Sequence, residues 1–120
     1  MSERRLIFVA LRVADLERSA RFYRDAVGVP LEPTDQPGEA HEEYSWREGA
    51  YLHFALFPAG TAGPSERAEL DFSVDDLDQA HERMVEAGAP VVRKPNDAPW
   101  GLSAVYRDPD GNLVGLTERR

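Results

Sequence analysis

His53 and Glu69 are the two side chains best suited to chemistry in this 120-residue chain. An imidazole beside a carboxylate has three uses: an ion pair or hydrogen bond on a cleft wall, a general acid/base couple, or the start of a metal site. The chain has no cysteine, which excludes disulfides, thiolate nucleophiles and Cys-ligated metals. Any metal would therefore need His, Asp or Glu. Arg12 can neutralise Glu69 or Asp71, or grip an anionic group of a ligand. Trp46 and Trp100 offer aromatic faces that stack on planar ligands and attract cations. Of the other histidines, His41 falls in an irregular loop and His81 on a helix, and both are expected to face solvent. The acidic run Glu39, Glu42 and Glu43 is expected to be a solvated loop rather than a patch that steers a basic ligand.

The elements that position these residues repeat once along the chain. The stretch "FVALRVADLERSARFY", Phe8 to Tyr23, reads as a strand running into a helix, and "ELDFSVDDLDQAHERM", Glu69 to Met84, has the same layout. Setting Phe8 against Glu69 brings Val13 onto Val74, Asp15 onto Asp76 and Leu16 onto Leu77. Asp15 and Asp76 stand where an N-cap carboxylate accepts from free first-turn amides. Gly28 and Gly88 suit the left-handed conformation at a helix C-terminus. Three strand candidates follow in each half: near Pro30–Glu32, Glu43–Arg47 and Tyr51–Phe57, then near Pro90–Lys94, Leu102–Arg107 and Leu113–Thr117. The chain thus reads as a single α+β domain, 1–120, of two βαβββ modules, about 1–58 and 68–120. The Gly-, Pro- and Ser-rich stretch 59–67 joins them, and Pro33–His41 is a second irregular loop.

Strand alternation sorts the residues onto two faces. Val9, Leu11 and Val13, with Leu70, Phe72 and Val74, belong under the helices with Leu52, Phe54, Leu56, Val114 and Leu116. The opposite face mixes Phe8, Tyr51 and Leu113 with Arg12, His53, Glu69 and Asp71, the composition of a pocket wall where apolar area binds and a few polar groups orient.

Composition narrows the partners. The chain is 42% hydrophobic and 30% charged, as expected of a soluble globular protein, and its net charge of −8 argues against binding a nucleic-acid backbone and weakly favours a cationic small molecule. The apolar run Leu6–Leu11 is too short for a signal sequence and is followed by Arg12. Nothing approaches the roughly 20 apolar residues that span a bilayer. A cytoplasmic protein with no membrane partner is the expectation.

The pattern "VALRVADLERSARFYRDAVG", followed late by "PWGLSAVYRDPDGNLVGL", resembles the vicinal oxygen chelate superfamily of glyoxalases, bleomycin-resistance proteins, fosfomycin-resistance enzymes and extradiol dioxygenases. That resemblance implies paired βαβββ modules whose sheets curl around a cleft, and a homodimer. Metal-dependent members carry His, Gln or Glu at four strand positions, which correspond to Phe8, His53, Glu69 and Gly115 in this chain. The internal repeat gives the same placing, since His53 follows Gly49 at the distance at which Gly115 follows Gly111. Only two of the four can bind a metal, fewer than the three protein ligands usual at a catalytic site. The resemblance therefore implies the metal-free branch, which binds and sequesters drugs such as bleomycin or mitomycin, with no cofactor. Phe8, Arg12, Trp46, His53, Glu69, Trp100 and Tyr106 are the expected ligand-binding residues. The alternative is a glyoxalase- or dioxygenase-type enzyme that uses His53 and Glu69 as an acid/base pair or with a divalent metal such as Zn, Ni, Mn or Fe.

Overall fold

The computed structural model describes residues 3–36 and 38–119, so Pro37 of the expected irregular loop lies outside the described residues. Strand β1, Phe8–Val13, leads into α1, Leu16–Arg21, and then β2, Glu32–Thr34, β3, His41–Trp46, and β4, Leu52–Pro58. The second half repeats this with β5, Glu69–Ser73, α2, Leu77–Glu86, β6, Val91–Ala98, β7, Gly101–Arg107, and β8, Leu113–Arg119. Two four-stranded mixed sheets result, ordered β1-β4-β3-β2 and β5-β8-β7-β6, each with its first and last strands parallel. This is the paired βαβββ arrangement of the α+β class. Among the described residues no helix is long and apolar enough to cross a membrane.

Both helices begin as their sequences dictate. The Asp15 and Asp76 carboxylates accept from the amides of Arg18 and Gln79, each at 3.1 Å. The first helix then departs from its counterpart, because α1 passes into a π-helical segment, Phe22–Val27, that stops at Gly28 with φ of 99°. The wider turn sends Phe22, Tyr23, Ala26 and Val27 all into the core. Three strand expectations shift, one of them β6, which runs on to Ala98, four residues past Lys94. Strand β2 starts later than Pro30 because Val29 and Leu31 are drawn into the core, and β3 starts at His41, which therefore leaves the loop.

The buried set has the parity expected: Leu11, Val13, Phe54, Leu56, Val114 and Leu116 pack under α1 and α2 with Leu77 and Met84. The modules meet through the same side, where the Phe72 ring lies 6.0 Å from Phe54, 6.2 Å from Tyr23 and 6.4 Å from Trp46. The turn "DPDGN" between β7 and β8 fastens the joint. The Asp108 carboxylate, 5% exposed, accepts from the Tyr23 hydroxyl at 2.7 Å and, at 2.9 Å each, from Asn112 Nδ2 and the amides of Asp110 and Asn112. Asn112 in turn accepts from the Ala68 amide and donates to the Ser65 carbonyl, and Asp110 accepts from the Ala14 amide.

Burial, reinforced by the Asp108 carboxylate, pushes the Tyr23 hydroxyl far above its ordinary ionisation range, and burial pushes Tyr106 up to about 12. In the unfolded chain both ionise near pH 10, so stability is intact below that pH and falls as pH rises above it. Tyr23→Phe is expected to lose about 1–3 kcal/mol at neutral pH and to show a shallower alkaline decline than the native chain. Urea unfolding between pH 7 and 11 measures both; equal slopes would contradict the assignment.

Candidate functional site

Each sheet presents one face away from the core. On the first sheet β1 and β4 set Phe8 opposite His53, Ala10 opposite Ala55 and Arg12 opposite Phe57. The Phe8 and His53 rings stack with centroids 5.3 Å apart, and His41 stacks on Phe57 at 4.3 Å. A polar chain runs over the small residues between them. Ser45 Oγ and His53 Nδ1 are 2.6 Å apart, His53 Nε2 lies 3.6 Å from Glu43 Oε1, and that oxygen lies 2.7 Å from His41 Nε2. His41 Nδ1 is 2.8 Å from the Glu39 carbonyl. His53 thus sits between a hydroxyl and a carboxylate, the setting of a proton carrier.

Arg12 does not neutralise Glu69 or Asp71. Its guanidinium lies over the Phe57 ring and pairs with Glu39 at 2.9 Å, because β1 and β5 belong to separate sheets and Glu69 and Asp71 are on the other one. His53 and Glu69 are separated for the same reason, and no hydrogen bond or ion pair joins them. His41 is a correction as well: it is 3% exposed, not solvent-facing, since alternation along β3 puts His41, Glu43 and Ser45 on one face. Extending β3 back to His41 would have revealed this chain in the sequence.

On the second sheet Glu69, Asp71, Arg93, Val105, Leu113 and Gly115 help to line a cavity of about 430 Å³. Beside it Asp71, Ser73, Trp100, Thr117 and Arg119 border another of about 290 Å³, with Trp100 57% exposed in the turn between β6 and β7. A third cavity, about 310 Å³, opens at the joint between modules and is walled by Val9, Trp46, Leu52, Phe54, Leu70 and Phe72, with Asp71 again at its edge. Trp46 therefore borders the joint instead of the outer face of its sheet. Tyr106 is the clearest correction among the expected ligand-binding residues. It alternates with Ser103, Val105 and Arg107, is fully buried beneath α2, and its hydroxyl lies 2.7 Å from His81 Nδ1. His81 is accordingly part-buried with a fixed partner rather than free in solvent.

Two of the four metal positions of the family lack a ligand in this chain. Phe8 and Gly115 have no ligating atoms, and the Asp71 carboxylate occupies the space above Gly115, where an added Cβ would stand 2.8 Å from Asp71 Oδ1. Among the described residues no three of His, Cys, Asp and Glu gather closely enough to hold a metal. These residues do not fit the centre of the metal-dependent members.

The sequence profile of the glyoxalase-like domain matches residues 8–117. The chain belongs to the glyoxalase-like domain family. Its fold is similar to that of TnmS3, an antibiotic binding protein from Streptomyces sp. CB03234, at 30% identity and a TM-score of 0.74 over 100% of this chain and 99% of that one. A glyoxalase/bleomycin resistance protein from the same organism shares 31% identity and a TM-score of 0.69, covering 95% of this chain and 100% of that one. A probable lactoylglutathione lyase of Vibrio parahaemolyticus is 25% identical over 138 residues, covering all of this chain and 94% of the relative. This glyoxalase-like chain thus shares its architecture with both binding proteins and enzymes, and fold alone does not choose between them.

Proposed function

We propose that this glyoxalase-like protein binds a hydrophobic or aromatic small molecule without a metal ion, in a sequestering or resistance role. The observation that carries the reading is the cavity at the module joint. Trp46, Phe54 and Phe72 supply aromatic wall, Val9, Leu52 and Leu70 aliphatic wall, and Asp71 a single carboxylate, the mixture of apolar area and few polar groups that suits a planar ligand. Similarity to an antibiotic binding protein supports it, as does the incomplete donor set. Trp100 forms a second aromatic wall beside Asp71.

Trp100→Ala is expected to weaken binding of planar aromatic drugs by about fivefold, since aromatic stacking on an exposed ring contributes about 1 kcal/mol, while leaving the unfolding midpoint nearly unchanged. Fluorescence titration against a panel of polycyclic aromatic drugs, native beside variant, checks this; an unchanged affinity would remove Trp100 from the site.

The protein works as a cytoplasmic homodimer in this reading. Strands β1 and β5 are unpaired sheet edges, and Leu6, Ile7 and Phe8, at 71%, 59% and 47% exposure, form an apolar run at one of them. Light scattering on the eluting protein tests the assembly. The enzyme reading draws on the lyase relatives and on the placement of His53 between Ser45 and Glu43. Turnover of a 2-oxoaldehyde–thiol adduct that is abolished in His53→Ala would favour it over simple binding.

A further inference from the structure

We propose that Asp71 is the anchor for a positively charged nitrogen of the ligand, and that Gly115 is the residue that makes room for it. The inference rests on the ligand-binding reading above and adds the chemical class of the ligand, a planar ring system bearing a cation.

The register between β5 and β8 sets Asp71 directly opposite Gly115. A side chain at 115 would collide with the Asp71 carboxylate, so the bare glycine lets that carboxylate lie across β8. There the Thr117 hydroxyl donates to it at 3.2 Å from Oδ1 and 3.4 Å from Oδ2, which fixes its direction and leaves its remaining lone pairs open. Asp71 borders all three cavities described above, and no other described residue does.

Asp71 also makes no ion pair among the described residues, and neither does Glu69, although Arg93 and Arg119 line the same cavities. Two carboxylates on one strand face repel each other, and a cationic ligand relieves that repulsion. Trp100, beside Asp71, presents the ring face on which a planar cation would lie. The overall charge of −8 favours the approach of such a ligand.

The test compares proflavine, a planar cation, with acridone, a neutral ring of similar shape, by fluorescence anisotropy at fixed ionic strength. The native protein is expected to bind proflavine about tenfold more tightly than acridone, and Asp71→Asn to lose about that factor for proflavine while acridone changes by less than about twofold. Asparagine preserves the size of the side chain and the Thr117 contact, and the position is exposed, so folding is retained; circular dichroism verifies it. Gly115→Ala, which displaces the carboxylate, should reproduce part of the loss. Equal affinity for the two rings, unaltered in Asp71→Asn, would overturn the anchor and leave the ring-binding reading intact. A larger loss in Glu69→Gln than in Asp71→Asn would overturn the assignment to Asp71. Binding of neither ring would overturn both readings.

Discussion

Asp108→Ala is expected to lower the unfolding free energy by about 3–5 kcal/mol, because it leaves several buried donors unpaired at about 1–3 kcal/mol each. Four donors converge on that carboxylate, two from side chains and two from the backbone of its own turn, and it is 5% exposed. Deleting it strands the Tyr23 hydroxyl in the core and frees Asn112, which holds the chain between the modules through Ser65 and Ala68. The effect should exceed that of Tyr23→Phe, which removes one of the four donors and leaves the other three paired. Urea unfolding followed by far-ultraviolet circular dichroism gives the difference; a loss below about 1 kcal/mol would mean that water replaces the network at little cost.

Phe72→Ala is the second large effect. The ring touches Tyr23, Trp46 and Phe54 and closes one wall of the joint cavity, so its loss removes apolar contacts from both modules at once. Because Phe72 is half-buried, the lower end of the range for Phe→Ala applies, about 3 kcal/mol. Phe72→Leu, nearer in volume, should cost less than about 1.5 kcal/mol. A guanidinium series on both variants would show whether the ring matters as packing; similar small losses in both would contradict its place in the joint.

Much of this architecture is legible in the sequence because its rules are local. Asp15 and Asp76 cap helices wherever an extended residue precedes a first turn, and Val9, Leu11 and Val13 alternate with Phe8, Ala10 and Arg12 whatever surrounds them. The late "DPDGN" reads as a turn for the same reason. Its role in joining the modules does not, since the Tyr23 contact spans 85 positions. The π-helical segment is also invisible to periodicity, because the pull of Tyr23 toward Asp108 and Phe72 is tertiary. His41 is hidden in the sequence because the irregular residues before it mask the start of β3, two residues ahead of Glu43. Tyr106 was readable: Ser103 and Arg107 mark the polar side of β7, which leaves Tyr106 with the core. The Asp71–Gly115 relation needed the register of β5 against β8, which no single strand pattern contains. Arg12 and Glu69 share a face type but not a sheet, and composition cannot tell those apart.

The most direct test of metal-free ligand binding is thermal unfolding of chelator-treated protein with Ni²⁺, Zn²⁺, Mn²⁺ or Fe²⁺ in turn, and with proflavine in place of metal. Binding confined to the native state stabilises by about 2.7 kcal/mol when the ligand stands at 100 times its Kd. The midpoint is expected to rise with proflavine and to stay unchanged with each of the four ions. A rise with one of the ions that disappears in His53→Ala, with proflavine inert, would contradict metal-free ligand binding.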